Sequence, residues 1–194
     1  MNQQRHDFRV LLLELVGLLS VMAIALINIS HAATINVDSS SDALQNDDNC
    51  TLREAVQAAN TDQAVDRCAA GSGADIIVLP AGTYTLTIAG ANEDDNATGD
   101  IDLKEEVTLR GAGPSDTIID GGGVDRVFDS SAATAHFSQM TIRNGKESNG
   151  DGGGGILQPA SVTNVVLDSN STAGRGGAIF ARGVTVKGST LSGN

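Results

Sequence analysis

The densest run of chemistry-bearing side chains lies between residues 94 and 105. Asp94-Asp95-Asn96-Ala97-Thr98-Gly99-Asp100-Ile101-Asp102-Leu103-Lys104-Glu105 follows the spacing of a helix–loop–helix calcium loop. Oxygen donors fall at Asp94, Asn96, Thr98, Asp102 and Glu105, and Gly99 stands where such a loop turns sharply. Calcium is a hard cation that takes about six to eight oxygen ligands, so carboxylates and an amide at this spacing suit it. The expected ligands are Asp94, Asn96, Asp102 and Glu105, and calcium is the only cofactor the residues suggest. Two features weigh on the other side: Thr98 replaces the usual Asp or Asn, and strand-like runs flank the loop instead of helices. On these grounds the stretch reads first as an ordinary acidic corner, with calcium as the alternative.

A second set of carboxylates, Asp120, Asp125, Asp129 and Asp151, offers the paired acids that glycoside hydrolysis needs. Aspartate before Gly121-Gly122-Gly123 is equally what a backbone corner selects. Arg110 and Arg143 follow Val107-Thr108-Leu109 and Met140-Thr141-Ile142 in equivalent places. They read as solvated corner cations near acidic neighbours; the alternative is that they stack on one face, as a lyase using an arginine base with calcium would require. His136 precedes Phe137 in a strand-like run and reads as structural. No catalytic residue is assigned.

The elements that must carry these groups are legible from a repeat. Gly153-Gly154-Gly155-Ile156 returns as Gly176-Gly177-Ala178-Ile179, a shift of 176 − 153 = 23, and Asn170 returns as Asn194, a shift of 24. Short β-branched runs broken by glycine at that period predict a solenoid of strands and turns, a parallel β-helix. From Asp75 onward each run stops at Gly, Asp or Asn, residues that tolerate left-handed backbone. Val165, Leu167, Ile179, Val184, Val186 and Leu191 are expected to line a shared lumen. Asn144, Asn170 and Asn194 are expected to stack as a ladder between coils. The mature aromatics are only Tyr84, Phe128, Phe137 and Phe180, a poverty that a narrow lumen of Val, Ile and Leu accommodates.

Upstream, Thr51-Leu52-Arg53-Glu54 is a capping box, and Leu52, Ala55, Val56 and Ala59 follow at helical spacing. One short amphipathic helix is predicted, suited to cover the open first coil. Further upstream, Arg5 and Arg9 precede an apolar run over residues 11–29, and Ser30-His31-Ala32 supplies a small-residue cleavage site. Residues 1–32 are therefore read as a signal peptide, residues 33–74 as a cap, and residues 75–194 as coils. The mature chain has 12 − 2 = 10 basic and 24 − 2 = 22 acidic residues, so it keeps the whole −12 charge. Such a chain has no field for nucleic acid or anionic lipid, and no membrane span is expected in it. Export to an oxidising compartment makes a Cys50–Cys68 disulfide the default. The array stops at Asn194 as a repeat ends, with no second cap, so a longer parent protein is expected.

Cys50-Thr51-Leu52-Arg53-Glu54-Ala55 resembles the CSLREA signature, with Thr51 in the serine place. Leu79-Pro80-Ala81-Gly82-Thr83-Tyr84, Thr98-Gly99-Asp100-Ile101-Asp102-Leu103, Arg110-Gly111-Ala112-Gly113 and Ile118-Ile119-Asp120-Gly121-Gly122 follow in that family's order. The glycine repeats resemble those of pectate-lyase-like solenoids and of chlamydial polymorphic outer-membrane proteins. The resemblance implies an all-β, right-handed parallel β-helix with one short N-terminal capping helix, in an exported bacterial protein, secreted or at the cell surface. It brings no catalytic residue. The function expected is adhesin-like or structural, with an extracellular glycan or a host or matrix protein as partner. The alternative is a polysaccharide lyase or glycoside hydrolase.

Overall fold

The computed structural model describes residues 31–91, 93–130, 134–158 and 160–194. The leader read over residues 1–32 lies outside them except for His31 and Ala32. Over the described residues the β-branched runs are strands and the capping-box segment is the single helix. In chain order the first elements are β1 (Thr34–Asn36), α1 (Leu52–Thr61), β2 (Asp75–Val78), β3 (Gly82–Thr85), β4 (Ile101–Asp102), β5 (Val107–Arg110), β6 (Thr117–Asp120) and β7 (Phe128–Asp129). Then come β8 (Ala135–Arg143), β9 (Lys146–Glu147), β10 (Ile156–Leu157), β11 (Ala160–Asp168), β12 (Ser171–Thr172), β13 (Ile179–Phe180), β14 (Val184–Lys187) and β15 (Thr190–Ser192).

Every pairing between these strands is parallel. Parallel neighbours cannot be joined by a hairpin; here the rest of each coil makes the connection. One face stacks β1-β2-β5-β8-β11-β14, and another stacks β4-β7-β10-β13. The third runs from β3 through β6, the second half of β8 and the second half of β11 to β15. The molecule is an all-β parallel β-solenoid. Register partners Asp75, Val107, Ala135, Ala160 and Val184 give steps of 32, 28, 25 and 24 residues. The period read from the glycine repeats therefore belongs to the last coils. Earlier coils are longer because residues 86–100 and 111–116 are inserted between strands.

The core is three columns of inward side chains. Ile35, Ile77, Leu109, Phe137 and Val162 stack in register and are all buried. Tyr84, Ile119, Ile142 and Leu167 form the second column, and Ile101, Phe128 and Ile156 the third. Each such side chain contributes about 1.5–3 kcal/mol on burial. Phe128 and Phe137 meet across the lumen with ring centroids 4.8 Å apart, tilted by 53°, a favoured aromatic arrangement. Of the residues expected to line the lumen, Val165 and Leu167 are fully buried and Ile179 is half-buried. Val184, Val186 and Leu191 are 44%, 44% and 49% exposed. Val186 and Leu191 occupy inward register positions opposite Val162 and Leu167, but no described coil stacks upon them.

Corners decide which residues share a face. Strand β8 covers two faces because Gln139 takes left-handed backbone (φ 60°) in its middle; Asn164 (φ 53°) does the same in β11 and Gly188 (φ 55°) between β14 and β15. Asn164 Nδ2 donates to Gln139 Oε1 at 2.6 Å, so the corner is also a polar ladder. Gly111 lies beneath this corner, where a Cβ would collide with the Gln139 carbonyl.

Helix α1 begins as the capping box requires: Glu54 N–H donates to Thr51 Oγ1 (3.2 Å) and Thr51 N–H to Glu54 Oε2 (3.0 Å). Leu52, Ala55, Val56, Ala58 and Ala59 are buried, and the helix touches β1, β2 and β4, the first strands of two faces. Cys50 and Cys68 are disulfide-bonded, with Cα atoms 4.9 Å apart, closing a loop around the helix. No helix of the described residues is long and apolar enough to cross a membrane.

Candidate functional site: an acidic cleft beneath the cap

The cleft is assembled from the helix outward. Arg53 is fully buried in α1 although it carries a charge. Its Nε donates to Asp42 Oδ1 at 2.7 Å, and its Nη1 and Nη2 donate to the carbonyls of Asp100 and Gly99, each at 2.9 Å. In return Asn96 Nδ2 donates to the Arg53 carbonyl at 2.8 Å. Asn60 Nδ2 donates to the Asp102 carbonyl at 2.7 Å, and Lys104 N–H to Asn60 Oδ1 at 2.9 Å. The loop over residues 93–102 is thus strapped to the helix by hydrogen bonds to its backbone. Asn96 and Gly99 hold its turns with φ of 59° and 63°. A Cβ on Gly99 would sit 2.7 Å from the Gly90 carbonyl oxygen, which explains glycine there.

Strand β4 pairs with β7, setting Asp102 beside Asp129 while Ile101 and Phe128 point inward. Asp94 in the strapped loop completes a trio: one carboxylate oxygen from each of Asp94, Asp102 and Asp129 lies within 4.8 Å of the others. Alongside is a cleft of ≈ 280 Å³ lined by Glu93, Asp94, Asp100, Asp125, Asp129 and Asp151, with Arg126 and Leu157. Arg126 Nε approaches Asp100 Oδ2 at 2.7 Å, and its Nη1 donates to the Gly152 carbonyl at 2.9 Å.

Charge concentration at low exposure perturbs these acids. Burial, with the charges of Asp102 and Asp125, pushes Asp100 up to about 8 against the pull of Arg126. Burial, with the charges of Glu93, Asp129 and Asp94, pushes Asp102 up to about 7 although the Asn96 N–H opposes it. Asp125 is also raised, first by burial. Near neutral pH the cleft therefore holds protons, or needs a cation in their place.

The expected calcium ligands divide. Asp94 and Asp102 converge, and Asn96 lies fully buried with its N–H bonded to Asp102 Oδ2 at 2.8 Å. Glu105 is exposed and stands outside the trio; Asp129, from the next coil, is there instead. A helix–loop–helix loop returns to its twelfth position because its flanks are helices, whereas here the chain leaves along β4. Asp129 was readable only by aligning Ile101-Asp102 with Phe128-Asp129 across 27 residues.

Among the carboxylates proposed for hydrolysis, Asp125, Asp129 and Asp151 line the cleft, and Asp120 does not. Asp120 pairs with Arg143 (2.8 Å) and accepts from Asn144 Nδ2 (3.0 Å). Arg110 and Arg143 do not stack: Arg110 pairs in register with Ser138, and Arg143 with Asp120. The corner at Gln139 moves residues 140–143 to another face, so the true counterpart of Val107–Arg110 is residues 135–138. His136 Nδ1 lies 2.7 Å from Ser161 Oγ, a cross-strand bond. The asparagine ladder contains Asn170 and Asn194, with Asn170 Nδ2 donating to Asn194 Oδ1 at 2.9 Å. Gly145, not Asn144, occupies the equivalent place below, its N–H donating to Asn170 Oδ1 at 3.0 Å. Comparison with protein-family models, curated proteins and solved structures finds no match.

Proposed function

We propose that the chain is an exported bacterial β-solenoid, secreted or surface-displayed, that acts as an adhesin-like or structural element through an extended polar face. One observation carries this reading. Register aligns Thr108, His136, Ser161 and Thr185 in one outward row, and Arg110, Ser138, Thr163 and Lys187 in the next. Neighbouring rungs of a parallel sheet are spaced by about 4.8 Å, so these rows offer regular hydrogen-bonding groups along the solenoid axis. That regularity suits an extended polar partner, an extracellular glycan or a stretched segment of a host or matrix protein. The buried disulfide supports an oxidising destination. Solid-phase binding of the full chain to immobilised glycans and matrix proteins tests the reading. A saturable signal weakened by Thr163→Glu with Lys187→Glu is expected, and no binding to any of them sinks it.

One observation favours a hydrolase or lyase. In a cleft shared with Asp125, Asp129 and Asp151, burial and neighbouring acids push Asp100 up to about 8 against the pull of Arg126 at 2.7 Å, toward the acid-and-carboxylate pairing of glycosidases. Incubation with pectin and related polysaccharides separates the two readings. Release of reducing or unsaturated ends that disappears in Asp125→Asn selects the enzyme.

A further inference from the structure

Three carboxylates from two coils converge beside the loop strapped by Arg53. We propose that Asp94, Asp102 and Asp129, with the side-chain oxygen of Asn96, form a calcium site that ties the 93–102 loop to the following coil. The inference is independent of the adhesin-like reading, since the ion would be structural under either function.

The geometry fits one ion. Calcium–oxygen distances of about 2.3–2.6 Å place opposite ligands roughly 4.6–5.2 Å apart, and the three carboxylate oxygens lie within 4.8 Å of one another. Magnesium, at about 2.0–2.1 Å, demands a tighter set and holds its waters more firmly. The donors are all hard oxygens, which suits calcium and not zinc.

Asn96 supplies the observation that does not depend on the carboxylates. Its residue is fully buried, and its Oδ1 has no hydrogen-bond partner. The amide cannot turn to relieve this, because its Nδ2 is committed to the Arg53 carbonyl at 2.8 Å. The same residue's N–H donates to Asp102 Oδ2 at 2.8 Å, which sets Asn96 directly against a member of the trio. A buried acceptor without a donor calls for an occupant, and beside three carboxylates a cation supplies it. Arg126 lies beside the trio without supplying that donor: its Nε is 2.7 Å from Asp100 Oδ2 and 3.9 Å from Asp129 Oδ2, its Nη1 donates to the Gly152 carbonyl, and Asn96 Oδ1 stays without a partner.

The test is calorimetric titration of the calcium-free full chain with calcium chloride, paired with thermal melting. One ion per chain and a higher melting temperature are expected. Asp129→Asn and Asp94→Asn should each lower the affinity by about tenfold or more, while Glu105→Gln leaves it unchanged and magnesium binds more weakly. No heat and no melting shift at millimolar calcium overturns the site. An unchanged affinity in Asp129→Asn overturns it whatever Glu105→Gln does. Should Asp129→Asn fail to fold, Asp94→Asn decides alone, because Asp94 is exposed and its substitution leaves the core intact; an unchanged affinity there rejects the proposal.

Discussion

Arg53 is the residue on which the N-terminal third turns. A buried guanidinium is costly unless its donors are satisfied, and here one carboxylate and backbone carbonyls satisfy it. Arg53→Ala should destabilise by about 3–5 kcal/mol, because Asp42 is left buried without its partner; a fall in the urea midpoint measures this, and a change below 1 kcal/mol (roughly the worth of an exposed pair) contradicts it. The acids predict a pH profile. Asp100, Asp102 and Asp125 are raised above their ordinary 3.8, so their contribution is complete below that value and lost as pH rises through about 7–8 for Asp100 and Asp102. Asp42 is lowered: burial alone would raise it, but hydrogen bonds from Arg53 and the Ile88 and Thr87 N–H groups prevail. Its contribution is lost as pH falls below the ordinary value. The calcium-free melting temperature should therefore peak on the mildly acid side and decline between about pH 6 and 8. A melting temperature that rises across that interval would reject the assignment.

At the scale of elements, the cap behaves as its local chemistry dictates. Thr51, Glu54 and the apolar spacing of α1 are one short-range signal, and the helix forms where that signal stands. The disulfide closes a loop spanning 18 residues around it, worth about 3 kcal/mol in the chain-entropy model. Replacing both Cys50 and Cys68 by alanine should lower the unfolding free energy by about that amount, read from denaturant midpoints against wild type. An unchanged midpoint shows that the helix holds without the bridge. The strand cores were legible for the same local reason. Their corners were not: Gln139 is a poor signal for left-handed backbone, Asn164 a better one that stands inside a strand-like run, and the side-chain amide bond between them joins the two corners. That is why Arg110 and Arg143, similar in local sequence, stand on different faces.

Across the whole molecule, stability rests on columns shared by successive coils. Phe137 is buried between Leu109 and Val162 and against Phe128, so Phe137→Ala should cost about 3–5 kcal/mol. Val186 is 44% exposed at the end of the same column, and Val186→Ala should cost well under about 1 kcal/mol. Equal costs at the two positions would deny the column its role. A nearest-neighbour array also predicts that Phe137→Ala loosens adjoining coils first, visible as faster amide exchange in β5 and β11 than in β1.

Whatever depends on neighbours along the chain could be read locally: the solenoid class from its period, the capped helix from Thr51 to Glu54, and the alternation that sends Ile77 or Leu109 inward. Cys50 and Cys68 were paired by number and compartment alone. Tertiary structure decided what depends on register between coils. It set Asp129 beside Asp102, parted Arg143 from Arg110, and put Gly145 where Asn144 was expected. Loops of unequal length make the coil step vary from 32 to 24 residues, and one residue of shift turns a side chain to the other face. Residues about 25 apart therefore meet only as the accumulated insertions allow.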